Sequence, residues 1–170
     1  MADEHESLLP ELARSLRVLG TPRDAAAEAA HAAVFAPLLG ARARASRANV
    51  GGVLAALRGA ELMSRIEALA RVAAEKDAAD AASARARAAE GAEILEPLRV
   101  AFAELDRLSG EVTPDAAASS PEWKRWVEQL RHVFAVADVA CGKFAGLLSA
   151  PDTAPARRWF GGRAGKGKRQ

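Results

Sequence analysis

The sequence predicts an all-α protein: a bundle of four to five helices, with a long alanine-rich central helix and a flexible basic C-terminal tail. Three observations predict it. Alanine, the best helix former, supplies 43 of the 170 residues. Tyrosine is absent and aromatic residues make up only 5%, too few ring and β-branched side chains for a sheet protein. Large apolar residues recur at three- and four-residue steps, the period of a helix with one buried face. Val, Ile, Leu and Phe come to 36 of 170 residues, just above the level below which chains tend to stay unfolded. The low net charge of +2 favours folding.

The elements follow from the punctuation. Ser7 caps a first helix that ends at Gly20, with Leu8, Leu12, Leu16 and Leu19 on one face. Thr21-Pro22-Arg23-Asp24 supplies a cap, a proline at the first helical position and an acid in the first turn of a second helix. Pro37 is expected to kink or end it, since proline removes one backbone hydrogen bond and crowds the preceding turn. Gly40 and Gly51-Gly52 are further weak points, so a helix over 41–50 should be short or irregular.

From Val53 to Ser109 the pattern is helical again. Leu62, Ile66, Leu69 and Ala73 lie on one stripe, and Ile94, Leu98, Ala101, Phe102, Leu105 and Leu108 on another. Between them, residues 73–92 carry no large apolar side chain, and 11 of these 20 are Ala. Read as one helix they would span about 30 Å. Such a helix either protrudes into solvent or lies against a second copy or a partner. Glu61–Arg65 and Glu67–Arg71 are spaced i,i+4 for ion pairs on a solvated face. Gly91 and Pro97 should bend or interrupt the region.

Residues 111–119 read as a loop. Ser120-Pro121-Glu122 then starts the last helix with a cap, a proline and an acid in order. Its stripe is the best in the chain: Trp123, Trp126, Val127, Leu130, Val133, Phe134, Ala137, Cys141, Phe144 and Leu148. Trp123 and Trp126 are interface candidates, because Trp is enriched at binding hot spots, though they can equally close the end of the core. Gly142 and Gly146, four apart on one face, would let a neighbouring backbone approach. Pro151 stops the helix. The chain thus divides into a helical bundle domain, 1–150, and a basic tail containing Gly and Pro, 151–170.

Little catalytic chemistry is legible. Gly162-x4-Gly167-Lys168 matches the first part of a phosphate-binding loop, but Arg169 stands where a hydroxyl should reach magnesium and no strand precedes it. Glu28-x2-His31 has the spacing of di-iron bundle ligands, without a second such pair: Gln129 occupies the matching position before His132. His5-Glu6-x3-Pro10 shares three letters with the phosphoacceptor box of sensor kinases, with Ser7, Leu8 and Leu9 where that box carries a basic and a small polar residue. Cys141 sits on the apolar stripe, which favours burial over nucleophilic use. It lies nine residues from His132, about 13 Å by helical rise, too far for a dyad on one helix. One cysteine makes neither an internal disulfide nor a thiolate zinc site. The reading is therefore of a protein that is not an enzyme and takes no cofactor or metal.

Charge is what stands out. Residues 1–150 hold 18 basic and 21 acidic groups, whereas 151–170 hold six basic groups and Asp152. The tail's Arg157, Arg158, Arg163, Lys166, Lys168 and Arg169 bracket Trp159 and Phe160. Cations interleaved with rings suit single-stranded nucleic acid, where charges follow phosphates and rings stack on bases. Arg42, Arg44 and Arg47 form a second basic group, with 44 and 47 sharing a helix face and 42 off it; a solvated surface is the simpler reading. The expected function is a non-catalytic helical interaction or assembly protein. It would act through a protein partner or self-association. The alternative is a nucleic-acid-associated accessory subunit of a ribonucleoprotein or DNA-bound complex that uses the tail. No run of about 18 apolar residues suggests a membrane span, and Asp3, Glu4 and Glu6 do not fit a signal peptide. A cytoplasmic location is expected. An excess of Arg over Lys, 19 to 5, beside so much Ala points to a GC-rich bacterial genome.

Overall fold

The computed structural model describes residues 24–151. These are all-helical: α1 (Ala25–Ala45), α2 (Val50–Ala56), α3 (Gly59–Glu75), α4 (Ala81–Ser109) and α5 (Pro121–Ser149). The helix expected over 7–20 and the tail over 152–170 lie outside the described residues.

The four long helices form a ring. α1 packs on α3, α3 on α4, α4 on α5, and α5 back on α1, while α3 and α5 scarcely touch across the centre. The start of α3 meets the end of α4, where the Gly59 N–H donates to Asp106. The start of α4 meets the end of α5, where Arg87 donates to the Leu147 carbonyl. Neighbours therefore run antiparallel, as short connections require. The short α2 carries the chain from α1 to α3 across the end that also holds the 110–120 loop. Gly51 there lies beside Pro114.

Local chemistry sets each start. Asp24 Oδ1 accepts from the Ala27 N–H at 2.7 Å, Asn49 Oδ1 from Gly52 at 2.9 Å, Asp80 Oδ1 from Ser83 at 2.8 Å and Ser120 Oγ from Trp123 at 3.2 Å. α1 is thus capped by Asp24, the residue expected in its first turn: Asp24 is extended and its carboxylate accepts from the free Ala27 N–H; Thr21 lies outside the described residues. α3 has no cap of its own: Arg58 precedes it and makes no capping bond. Its first two N–H groups are satisfied instead by Asp106 of α4, at 2.7 Å from Gly59 and 2.8 Å from Ala60.

Several expected breaks are not there, and one unexpected break is. Pro37 lies inside α1, which continues to Ala45. Proline costs one hydrogen bond, but α1 is apolar over a wide arc and Pro37 is itself buried, so packing on both sides holds the helix together. Gly51-Gly52 fall within α2, the Asn49 cap starting the helix just before them. Gly91 and Pro97 fall within α4, which runs unbroken for 29 residues. The alanine-rich stretch 73–92, by contrast, is not one helix. It turns at 76–80, where Lys76, Asp77 and Asp80 follow the last buried residue of α3, Ala74, and Asp80 caps α4. High helix propensity loses here to a capping carboxylate and to burial gained by folding α4 back along α3.

The core holds Val34, Phe35, Leu38, Ile66, Leu95, Leu98, Phe102, Leu105, Trp126, Leu130, Val133 and Phe144, each at most 2% exposed. Full burial of a large apolar side chain contributes about 1.5–3 kcal/mol. No polar or charged residue is buried among the described residues. Along α5 the expected stripe faces inward, with Leu147 rather than Leu148 closing it and Cys141 half-buried. Two glycines permit close approach. A Cβ on Gly59 would lie 2.5 Å from the Phe102 carbonyl oxygen, and one on Gly91 would lie 3.1 Å from Phe144 Cε2. Gly142 and Gly146 do not act this way: both are exposed, with nothing within 4 Å of an added Cβ.

Candidate functional site: the cleft between α3 and α4

A cleft of about 180 Å³ opens between α3 and α4. Its floor is Ala70, Gly91 and Leu95, all buried, with half-buried Ala88 beside them. Half-buried Glu67 and exposed Arg71, Ala92 and Arg99 form its mouth. The reason for the gap lies in the alanine-rich sequence. Four of the facing positions are Ala or Gly, whose side chains are too short to fill the space between two helix axes. Gly91 stays small because Phe144 of α5 presses on its other side.

The mouth is polar in an uneven way. The Arg99 Nε donates to Glu67 Oε1 at 2.9 Å, and its terminal nitrogens reach Glu67 and Glu96. The hydrogen bond to Glu67 is the main cause of a raised Arg99 pKa, with Glu96 adding to it. The i,i+4 spacing predicts a pair between Glu67 and Arg71 on one helix. Glu67 is drawn instead across the cleft to Arg99, and among the described residues no ion pair engages Arg71. Glu61 likewise pairs with Arg58 at 3.5 Å rather than with Arg65. Exposed pairs of this kind add little to stability, so their effect is on geometry.

The other candidate residues are dispersed. Trp123 and Trp126 stack at 5.0 Å and are 5% and 1% exposed. The Trp126 indole donates to Ser109 Oγ at 2.8 Å. The pair closes the core and offers no anchor on the surface of this fold, because its rings are already packed. Arg42 is half-buried on α1, and Arg44 is exposed on the same last turn. Arg47 lies beyond the end of α1 at Ala45, so the helix face proposed for 44 and 47 does not extend that far. Arg157, Arg158, Trp159, Phe160, Arg163, Lys166, Lys168 and Arg169 lie outside the described residues, as does His5.

His31 sits against Phe35 with ring centres 5.4 Å apart, and Glu28 beside it is exposed. Among the described residues, no three His, Cys, Asp or Glu side chains gather. The Cys141 thiol is pushed up to about 11, first by burial and then by Asp138, which keeps it protonated and unreactive near neutrality. α5 is long and apolar enough to cross a membrane by length and composition, and about a third of its most apolar stretch is buried. A core helix with one inward face meets the same description.

No family model matches the chain, and neither a curated protein nor a solved structure matches it.

The cleft is the site that reasoning along the sequence missed. Its signal was present as small residues at 70, 88, 91 and 92, but these face each other only once the chain turns at 76–80.

Proposed function

We propose that this protein is a non-catalytic helical interaction or assembly protein that works through a protein partner. The observation that supports this reading best is the α3–α4 cleft. The fold packs most of its large apolar side chains inward, with Leu69, Val72, Val100 and Val139 left exposed, and between α3 and α4 it leaves a surface-open gap with an apolar floor and a charged mouth, the arrangement of a small hot-spot pocket that takes one side chain from a partner. Purification of the native protein, with light scattering and identification of what co-purifies, tests it. A stable complex that weakens when the cleft is filled by Ala92→Leu is the expected result. A compact monomer that retains no partner overturns it.

The composition of the tail favours a second reading, association with single-stranded nucleic acid. Six cations and two aromatic rings are concentrated in residues 151–170. The described residues carry 15 basic and 17 acidic groups, a balance that gives duplex DNA no net attraction. Removal of 156–170 should abolish a salt-sensitive affinity for single strands; equal binding by the truncated and full chains excludes the reading.

A further inference from the structure

We infer that the α3–α4 cleft is a docking site for an apolar side chain that adjoins a carboxylate, presented by an acidic segment of the partner. The inference rests on the interaction reading for the bearer of that group, and on the cleft itself for the chemistry.

Three observations converge. The first is size. The cleft measures about 180 Å³, and a cavity of about 150 Å³ lined by apolar groups is enough to hold a benzene ring. The floor of Ala70, Gly91 and Leu95 offers carbon surface and no polar side chain. The second is charge. Arg71 at the mouth has no ion pair among the described residues: of the two acids one turn away on α3, Glu67 is taken by Arg99 and Glu75 makes no ion pair with it. An incoming carboxylate therefore meets a guanidinium that it does not have to win from an internal acid, and the planar fork suits it. The third is selectivity. Glu67 and Glu96 are both engaged by Arg99, so a cationic ligand would have to compete with Arg99 for them and would meet Arg71 beside them. A neutral apolar group would gain the floor alone.

The probe is N-acetylphenylalanine, whose benzyl group and carboxylate share one carbon; N-acetylphenylalaninamide is its uncharged counterpart. Backbone amide shifts of the full chain are followed by NMR as each is added. The acid should produce saturable shifts in the millimolar range at Ala70, Arg71, Ala88, Gly91 and Ala92. The amide should bind about threefold to fivefold more weakly, the size expected for one exposed guanidinium–carboxylate pair. Arg71→Gln should erase that difference, and Ala92→Leu should remove binding of both. Ala92 is exposed, so the leucine fills the cleft without disturbing the core; an unchanged Tm verifies this, and Ala88→Leu replaces it otherwise. Equal binding of acid and amide, shifts located elsewhere, or no saturable shift overturns the inference. If the probe fails to bind while a protein still co-purifies, this inference falls and the interaction reading stands. If the probe binds but no protein does, the cleft's chemistry stands and the partner reading falls.

Discussion

At the scale of single residues, Gly59 and Asp106 carry more than their types suggest. Gly59 has no room for a Cβ, since backbone of α4 occupies the position at 2.5 Å. Gly59→Ala must push α3 away from α4 and lose the Asp106 bonds with it. Overpacking of this kind costs about 1–3 kcal/mol, to be read as a lower urea midpoint at unchanged slope. Asp106→Ala leaves two N–H groups without their carboxylate and should cost about 1 kcal/mol, as loss of a helix cap does. Neither role is visible in the sequence, because Asp106 and Gly59 are 47 positions apart. Cys141 differs: its place on the apolar stripe was legible, and its chemistry follows. Folding holds the thiol protonated by raising its pKa from 9.0 to about 11. The associated stability is complete below the unfolded value and is lost as pH rises through the folded one. Alkylation at pH 8 should be much slower than for unfolded chain, and equal rates would show the thiol to be open.

At the scale of elements, proline and aspartate decide the helix limits differently from their usual reading. Pro97 is exposed inside α4 and lacks the N–H that would complete the turn. Proline in a helix interior is about 3 kcal/mol worse than alanine; burial of Leu95 and Leu98 carries α4 through this point, and the exposed ring of Pro97 adds none of its own. Pro97→Ala should therefore stabilise the protein, raising Tm by several degrees; a lower Tm would mean that the proline shapes α4 in a way the packing needs. Asp80 acts oppositely. Its carboxyl is held below the ordinary range by hydrogen bonds from Ser83, so the cap is fully effective above about pH 4 and is lost on further acidification. Asp80→Ala should lower the urea midpoint at neutral pH and leave it unchanged once the aspartate is protonated. The competition between alanine's propensity and this cap is why 73–92 reads as one helix yet folds as a hairpin.

At the scale of the whole molecule, shape and charge are divided between two parts of the chain. The described bundle has nearly balanced charge, and the cations are concentrated beyond Pro151. If all six tail cations engage a single strand, log affinity should fall with log salt at a slope near about −4, and truncation at 155 should flatten it. A slope unaffected by truncation would place any binding on the bundle. The cleft belongs to the bundle, so its probe binding should survive the same truncation. That separation lets protein docking and nucleic-acid association be tested independently in one set of truncated and substituted chains.

Local sequence was sufficient for the helical class, the ends of α5, the 110–120 loop and the inward stripe from Trp123 to Phe144. Each rests on periodicity or a cap within a few residues, and such signals do not depend on what packs against them. Packing between distant segments was needed to keep Pro37, Gly91 and Pro97 inside helices, to turn the alanine run at 76–80, and to draw Glu67 from Arg71 to Arg99. Those outcomes are set by contacts between helices, where burial and steric room outweigh propensity. The cleft arises in the same way, from small residues on two helices that meet only after the turn.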